Sequence, residues 1–205
     1  MGFEDVKKNM LNTAGFFDSK KVGHIGPLGF RRSTDLSRLL SGIEELADKN
    51  IFKPFHINFL DVGCGDGRVN ALMSYICEKS IGIELDDWTL EEYAALRPEL
   101  DKYLADRQSE LPPGNIYLFE GDALESSTHK SIQDKTGLTI GDFDLFYTYL
   151  TLHEETAGMI VKKAKPGALF MVYGLERIMP KYDNLEILTP EAPVQGILAV
   201  YRKPL

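Results

Sequence analysis

Cysteine is scarce in this chain: two residues, Cys64 and Cys77, in 205. Two cannot build a disulfide framework and their separation fits no common zinc spacing, so both are read as buried thiols and no metal is expected. No apolar run approaches the roughly 20 residues that a membrane-spanning helix requires. Met1 to Leu11 lacks the apolar core of a secretory signal, so a cytoplasmic protein with no membrane partner is expected. Positive charge is also in deficit, with 23 Lys and Arg against 31 Asp and Glu and a net charge of −8. Proteins that bind nucleic acid hold phosphates with Lys and Arg, so this balance weighs against general nucleic-acid binding. The deficit is uneven: residues 1–56 carry nine basic and seven acidic residues, and 57–205 carry fourteen and twenty-four. Lys20, Lys21, Arg31 and Arg32 concentrate the basic side chains, read chiefly as a solvated loop and otherwise as a contact for an acidic substrate.

Internal repeats, low-complexity tracts and interdomain linkers are absent as well, and the length suits one domain with a sizeable core. Three zones follow from hydrophobic periodicity and from Gly and Pro punctuation. Residues 1–54 read as a helical N-terminal extension. A short polar helix leads to a glycine-rich stretch from Gly15 to Phe30, then to an amphipathic helix capped at Thr34, with Leu36, Leu39, Leu40, Ile43 and Leu46 on one face. From residue 55 onward, short apolar runs alternate with helical segments, the pattern of a parallel sheet with crossover helices. The runs are Ile57–Val62, Ser80–Glu84, Ile116–Glu120, Phe143–Tyr147 and Ala168–Tyr173. Helices are expected over Asn70–Glu78 and from a capping box of Thr89 with Glu92, the latter kinked or ended at Pro98. From Glu176 on, Leu185–Leu188 and Gly196–Tyr201 suggest a closing hairpin. The expected fold is α/β: a doubly wound, mostly parallel seven-stranded sheet with helices on both faces and an antiparallel C-terminal hairpin. Residues 55–205 would form this unit, and 1–54 its extension.

The sharpest local feature is Phe59-Leu60-Asp61-Val62-Gly63-Cys64-Gly65-Asp66-Gly67-Arg68, an apolar strand running into three alternating glycines and a helix. Glycine lets the backbone turn tightly and approach a ligand, and the helix start beyond it offers unpaired N–H groups. In open α/β sheets, ligands bind beyond the carboxyl ends of the strands where strand order reverses. Glu84 ends the second run about 20 residues further on, where a carboxylate can accept from both hydroxyls of a ribose. Glu120-Gly121-Asp122-Ala123 follows the third run, and Phe143 to His153 includes the fourth.

These motifs, in this order from Ile57 to Tyr173, resemble those of class I, Rossmann-like, S-adenosylmethionine-dependent methyltransferases. That family opens with an acidic residue and Gly-x-Gly-x-Gly, here Asp61, Gly63, Gly65 and Gly67. A dinucleotide fingerprint would place glycine where Arg68 stands. The resemblance implies S-adenosyl-L-methionine as cofactor, held by Asp61, Gly63, Cys64, Gly65, Gly67, Glu84, Asp122, Ala123 and Tyr147. Asp122 would accept from the adenine amino group, and the Ala123 N–H would reach the ring. Lys165-Pro166-Gly167-Ala168 matches the family's turn before the fifth strand. The Asn-Pro-Pro-Tyr type of motif of amino-directed DNA methyltransferases is missing, which weighs against that branch; a small-molecule or protein acceptor is expected. The Cys-Gly-Asp-Gly-Arg run also resembles archaeal-type protein-lysine methyltransferases.

Methyl transfer depends mainly on holding acceptor, methyl and sulfur in line with water excluded. Tyr149 and His153, with Glu154, are the candidates for a base; Tyr147 and Tyr149 also read as pocket walls. His24 lies in a loop suited to fold over the donor site, Phe16 and Phe17 are candidate acceptor contacts, and Trp88 either packs beside the adenosine or caps a helix. Two other readings stand beside methyl transfer: an S-adenosylmethionine-binding protein without catalysis, and a Rossmann-like NAD-dependent oxidoreductase, which Arg68 disfavours.

Overall fold

The structure, a computed structural model, describes residues 2–20, 25–26, 29–30, 33–175 and 179–205. Seven strands form one sheet: β1 (Asn58–Val62), β2 (Lys79–Glu84), β3 (Ile116–Glu120), β4 (Leu145–Tyr149), β5 (Leu169–Tyr173), β6 (Glu186–Ile187) and β7 (Leu198–Arg202). Their order is β3-β2-β1-β4-β5-β7-β6. The first five run parallel, and β7 lies antiparallel to both β5 and β6. The doubly wound sheet and its C-terminal hairpin are those expected from the strand pattern. Strand order reverses between β1 and β4, which opens a crevice above their carboxyl ends. A separate two-residue ladder pairs Ile25–Gly26 with Gly29–Phe30.

Side chains alternate across each strand, and here both faces are buried. Phe59, Leu145, Tyr147, Met171, Tyr173 and Val200 join one core with helices α1 (Phe3–Ser19), α2 (Leu36–Asp48), α3 (Arg68–Met73) and α4 (Asp87–Ala105). Leu60, Val62, Ile81, Phe146, Phe170 and Tyr201 join the other with α5 (Ser126–Thr136) and α6 (His153–Lys163).

The largest departure from expectation is at the N-terminus. Helix α1 runs through Gly15 to Ser19, where a glycine-rich stretch was expected to begin. Its face of Val6, Met10, Ala14, Phe16 and Phe17 is at most 3% exposed. Phe16 and Phe17 are therefore core residues and not acceptor contacts. Asp18 closes the helix pair, accepting from Leu36 N–H at 2.8 Å and Ser37 N–H at 2.9 Å at the start of α2. The N-cap of α2 is Asp35, not Thr34, and its side chain accepts from Arg38 N–H at 2.8 Å. His24, Lys21, Arg31 and Arg32 lie outside the described residues, as does the Glu176 start of the last zone.

Smaller corrections concern element boundaries. α4 starts at Asp87, and Thr89 donates its hydroxyl to Asp86 O at 2.7 Å instead of opening a capping box. Pro98 lies inside this helix without ending it, because Leu100 and Leu104 beyond it are fully buried. α3 stops at Met73; the chain must then turn so that Lys79 pairs with Asn58. β4 begins two residues late, since Phe143 is a buried plug beside Phe146 and Asp144 accepts from Asn58 N–H at 2.8 Å.

Candidate functional site

The glycines after β1 all take positive φ: +78° at Gly63, +55° at Gly65 and +69° at Gly67. Only glycine adopts these without strain, and the resulting loop folds back on β2. Gly63 and Cys64 N–H both donate to Ile83 O, at 2.9 and 3.0 Å. Gly65 N–H donates to Glu84 Oε2 at 2.8 Å, while Glu84 Oε1 accepts from Leu85 N–H at 2.9 Å and Asp86 N–H at 3.2 Å. Glu84 is thus held rigidly at the strand end with lone pairs remaining for a ligand. Gly67 serves packing: a Cβ there would lie 2.8 Å from Tyr93 and 2.9 Å from Leu118.

Asp66 and Arg68 form a buried pair, with Nη2 to Oδ2 at 2.8 Å and Nε to Oδ1 at 3.0 Å, and the Arg68 guanidinium stands 5.6 Å from the Phe17 ring centre. The residue that breaks the dinucleotide pattern therefore ties the glycine loop to α1.

A cavity of about 560 Å³ lies above the loop at the switch between β1 and β4. It gathers Asp61, Gly63, Cys64, Gly65, Glu84, Asp122, Ala123, Tyr147 and Tyr149, nine of the residues picked from sequence. Gly67 supports it from beneath. His153 does not line it: its Nδ1 lies 2.7 Å from Tyr182 Oη, in an aromatic group with Phe170 and Tyr201. As a base it is displaced from the site by this packing.

Asp61 is the exceptional side chain. It is 1% exposed on the cavity wall, and neither carboxylate oxygen has a hydrogen-bond partner among the described residues. Burial first, and then the nearby Glu84 and Asp66 carboxylates, push its pKa well above the usual range. Burial likewise raises Tyr147, whose hydroxyl lies 2.6 Å from Thr34 Oγ1, and the Cys64 thiol. Asp122 Oδ1 accepts from Leu124 N–H at 2.8 Å, and Gly121 N–H donates to Glu84 O at 2.8 Å, so the loops after β2 and β3 are bonded to each other. Leu85, Trp88, Leu124 and Leu152, all on the lining, are between 38% and 61% exposed. They form an apolar surface on the cavity, and Trp88 is one of its residues.

Several lining residues were missed from sequence: Ser33 and Thr34 before α2, and Thr151, Glu155, Thr156 and Met159 around the start of α6. Leu152, Glu155, Thr156 and Met159 have the three- and four-residue spacing of one helix face, a signal that was present but unusable without the helix start.

Among solved structures, the fold recurs. An RNA methyltransferase from Salinibacter ruber in complex with S-adenosyl-L-homocysteine matches at a TM-score of 0.51 and 16% identity, over 85% of this chain and 94% of that one. The N-methyltransferase NodS from Bradyrhizobium japonicum WM9 matches at 0.51 and 13%, over 82% and 95%. This chain has the Rossmann-like methyltransferase fold. The [4+2]-cyclase SpnF also matches, at 0.54 and 14% over 98% and 93%, so the methyltransferase fold by itself does not fix the reaction. No family model and no curated protein matches the chain in sequence. No described helix is long and apolar enough to cross a membrane.

Proposed function

We propose that this chain is a cytoplasmic S-adenosylmethionine-dependent methyltransferase acting on a small molecule or a protein side chain. The observation that carries the reading is the unpartnered, buried carboxyl of Asp61 at the end of β1, above the glycine loop. A buried acid without a partner is costly, and a ligand ammonium would relieve it. The other lining acids are Asp66, Glu84, Asp86, Asp122 and Glu155, whereas the lining cation among the described residues, Arg68, is already engaged by Asp66. Such a wall suits a cationic sulfonium cofactor better than the pyrophosphate of NAD.

In this reading Asp61 holds the ammonium, Glu84 the ribose hydroxyls and Asp122 the adenine amino group. When bound, the cofactor supplies a methyl group already activated by its sulfonium. The protein's work is then orientation and exclusion of water, which Tyr147, Tyr149 and Leu152 provide as walls. Where an acceptor must lose a proton, Tyr149 and Glu155 are the candidates we assign among the titratable side chains of the wall. Calorimetry with S-adenosylhomocysteine and with NAD tests the cofactor: the former should bind clearly tighter, and the reverse order would overturn the reading. Transfer of labelled methyl to small-molecule or protein fractions then separates an enzyme from a binding protein, the second reading that the cyclase neighbour keeps in view.

A further inference from the structure

Beyond the acids on the cavity wall, helix α5 grips the loop after β3 from behind. Thr128 packs against Gly121 so closely that a Cβ at Gly121 would lie 2.5 Å from its Oγ1. The next residue, His129, reaches the same loop with its ring: Nε2 lies 2.7 Å from Ala123 O, and Nδ1 lies 3.2 Å from Lys163 Nζ at the end of α6. A carbonyl only accepts and an ammonium only donates, so these partners assign the proton to Nε2 and leave Nδ1 as acceptor. The Ala123 carbonyl shares its peptide plane with the Leu124 N–H, and that N–H donates to Asp122 Oδ1 at 2.8 Å. One rigid peptide is therefore held from both sides, by His129 at its oxygen and by Asp122 at its nitrogen. Rotation of this plane would carry the Asp122 carboxylate with it.

We propose that His129 is a positioning residue for base recognition: fixed by Lys163, it sets the Ala123–Leu124 peptide so that Asp122 presents its carboxylate to an amino group on the ligand's base. The proposal rests on the reading of Asp122 given above. It makes the choice of adenine over a 6-oxo purine depend on a residue that touches neither. Asp122 is exposed and on a loop; a turn bond from Glu125 N–H to Asp122 O at 3.1 Å spans the Ala123–Leu124 peptide, and His129 is the side chain that fixes the orientation of that peptide's oxygen.

S-Adenosylhomocysteine and S-inosylhomocysteine, which differ at the base position that Asp122 reads, are the probes. The wild type should bind the adenosyl compound about tenfold more tightly or better, the scale of one hydrogen bond to a charged group. In His129→Ala that ratio should collapse toward one through weaker binding of the adenosyl compound, with the inosyl compound changed by no more than about twofold. His129→Gln, whose amide can still donate to Ala123 O, should recover much of the preference, and His129→Glu, which cannot donate, should not. This pair serves equally if the Ala variant does not fold. A preference kept in the Ala or Glu variant, or both ligands weakened alike, would overturn the proposal and leave His129 a structural residue. No preference in the wild type would instead overturn the assignment of Asp122 on which it stands.

Discussion

Removing α1, so that the chain starts at Lys20, should abolish cooperative folding. The helix inserts Val6, Met10, Phe16 and Phe17 into the core that also holds Phe59, Tyr147 and Met171 of the sheet, and each of the four is at most 3% exposed. Full burial of a side chain of this size contributes about 1.5 to 3 kcal/mol, so the four together contribute about 6 to 12 kcal/mol. That is as large as the whole stability of a typical domain, about 5 to 15 kcal/mol. The deletion also strips Asp18 from the start of α2, the Asn9 bond to Glu110 N–H, and the ring beneath Arg68. Phe17→Ala alone should cost about 3 to 5 kcal/mol. Thermal unfolding followed by near- and far-ultraviolet circular dichroism decides the matter. A truncated chain that unfolds in one sharp transition near the full-length Tm would refute this reasoning.

Three further outcomes are expected. Asp61→Asn should weaken S-adenosylhomocysteine binding in calorimetry yet stabilise the ligand-free protein at neutral pH. Because burial and its acidic neighbours raise the Asp61 pKa, the stability it allows is complete below the unfolded value and lost as pH rises through the native one, by about 1.4 kcal/mol per unit of displacement. Urea midpoints of the wild type should fall with pH across that window and those of the Asn variant should not; parallel curves would contradict this. Glu84→Ala should weaken cofactor binding by about 1 to 3 kcal/mol and, since Glu84 accepts from Gly65, Leu85 and Asp86, also lower the Tm. Gly82→Ala should destabilise by about 1 to 3 kcal/mol in denaturant titrations, because its Cβ would fall 2.7 Å from Asn70, Cys64 and Leu118 in the packed core.

The sheet and most of the cofactor side of the site could be read from the sequence because each rests on local information. A buried parallel strand is an unbroken apolar run, and the turn after it needs glycine or a carboxylate at the strand's own end. Asp61, the three glycines, Glu84 and Asp122 are all of this kind, and all but Gly67 line the cavity. For Thr34 and His153 the deciding partner lies far off in the chain. Thr34 has the side chain of an N-cap, but its hydroxyl faces Tyr147, 113 residues later, and Asp35 caps instead. His153 has the chemistry of a base, but Tyr182 takes its ring away from the cavity. Glycines and two adjacent phenylalanines read as a mobile cover, but the same residues continue a helix whenever a hydrophobic face is waiting for them.

That face also explains why the N-terminal segment bears on function without acting as a mere lid. Arg68 stands where a dinucleotide-binding loop would need glycine, and its guanidinium lies between Asp66 of the loop and the Phe17 ring of α1. Thr34, just before α2 at the end where Asp18 joins the helix pair, meets the Tyr147 hydroxyl on the cavity wall. The glycine loop and the wall of the pocket are thus both braced by residues that precede the first strand. A change in how α1 and α2 sit would reach the cavity wall through these two contacts, the Arg68–Phe17 packing and the Thr34–Tyr147 bond. The segment with no recognisable motif is for this reason the part of the chain on which the geometry of the recognisable motifs depends.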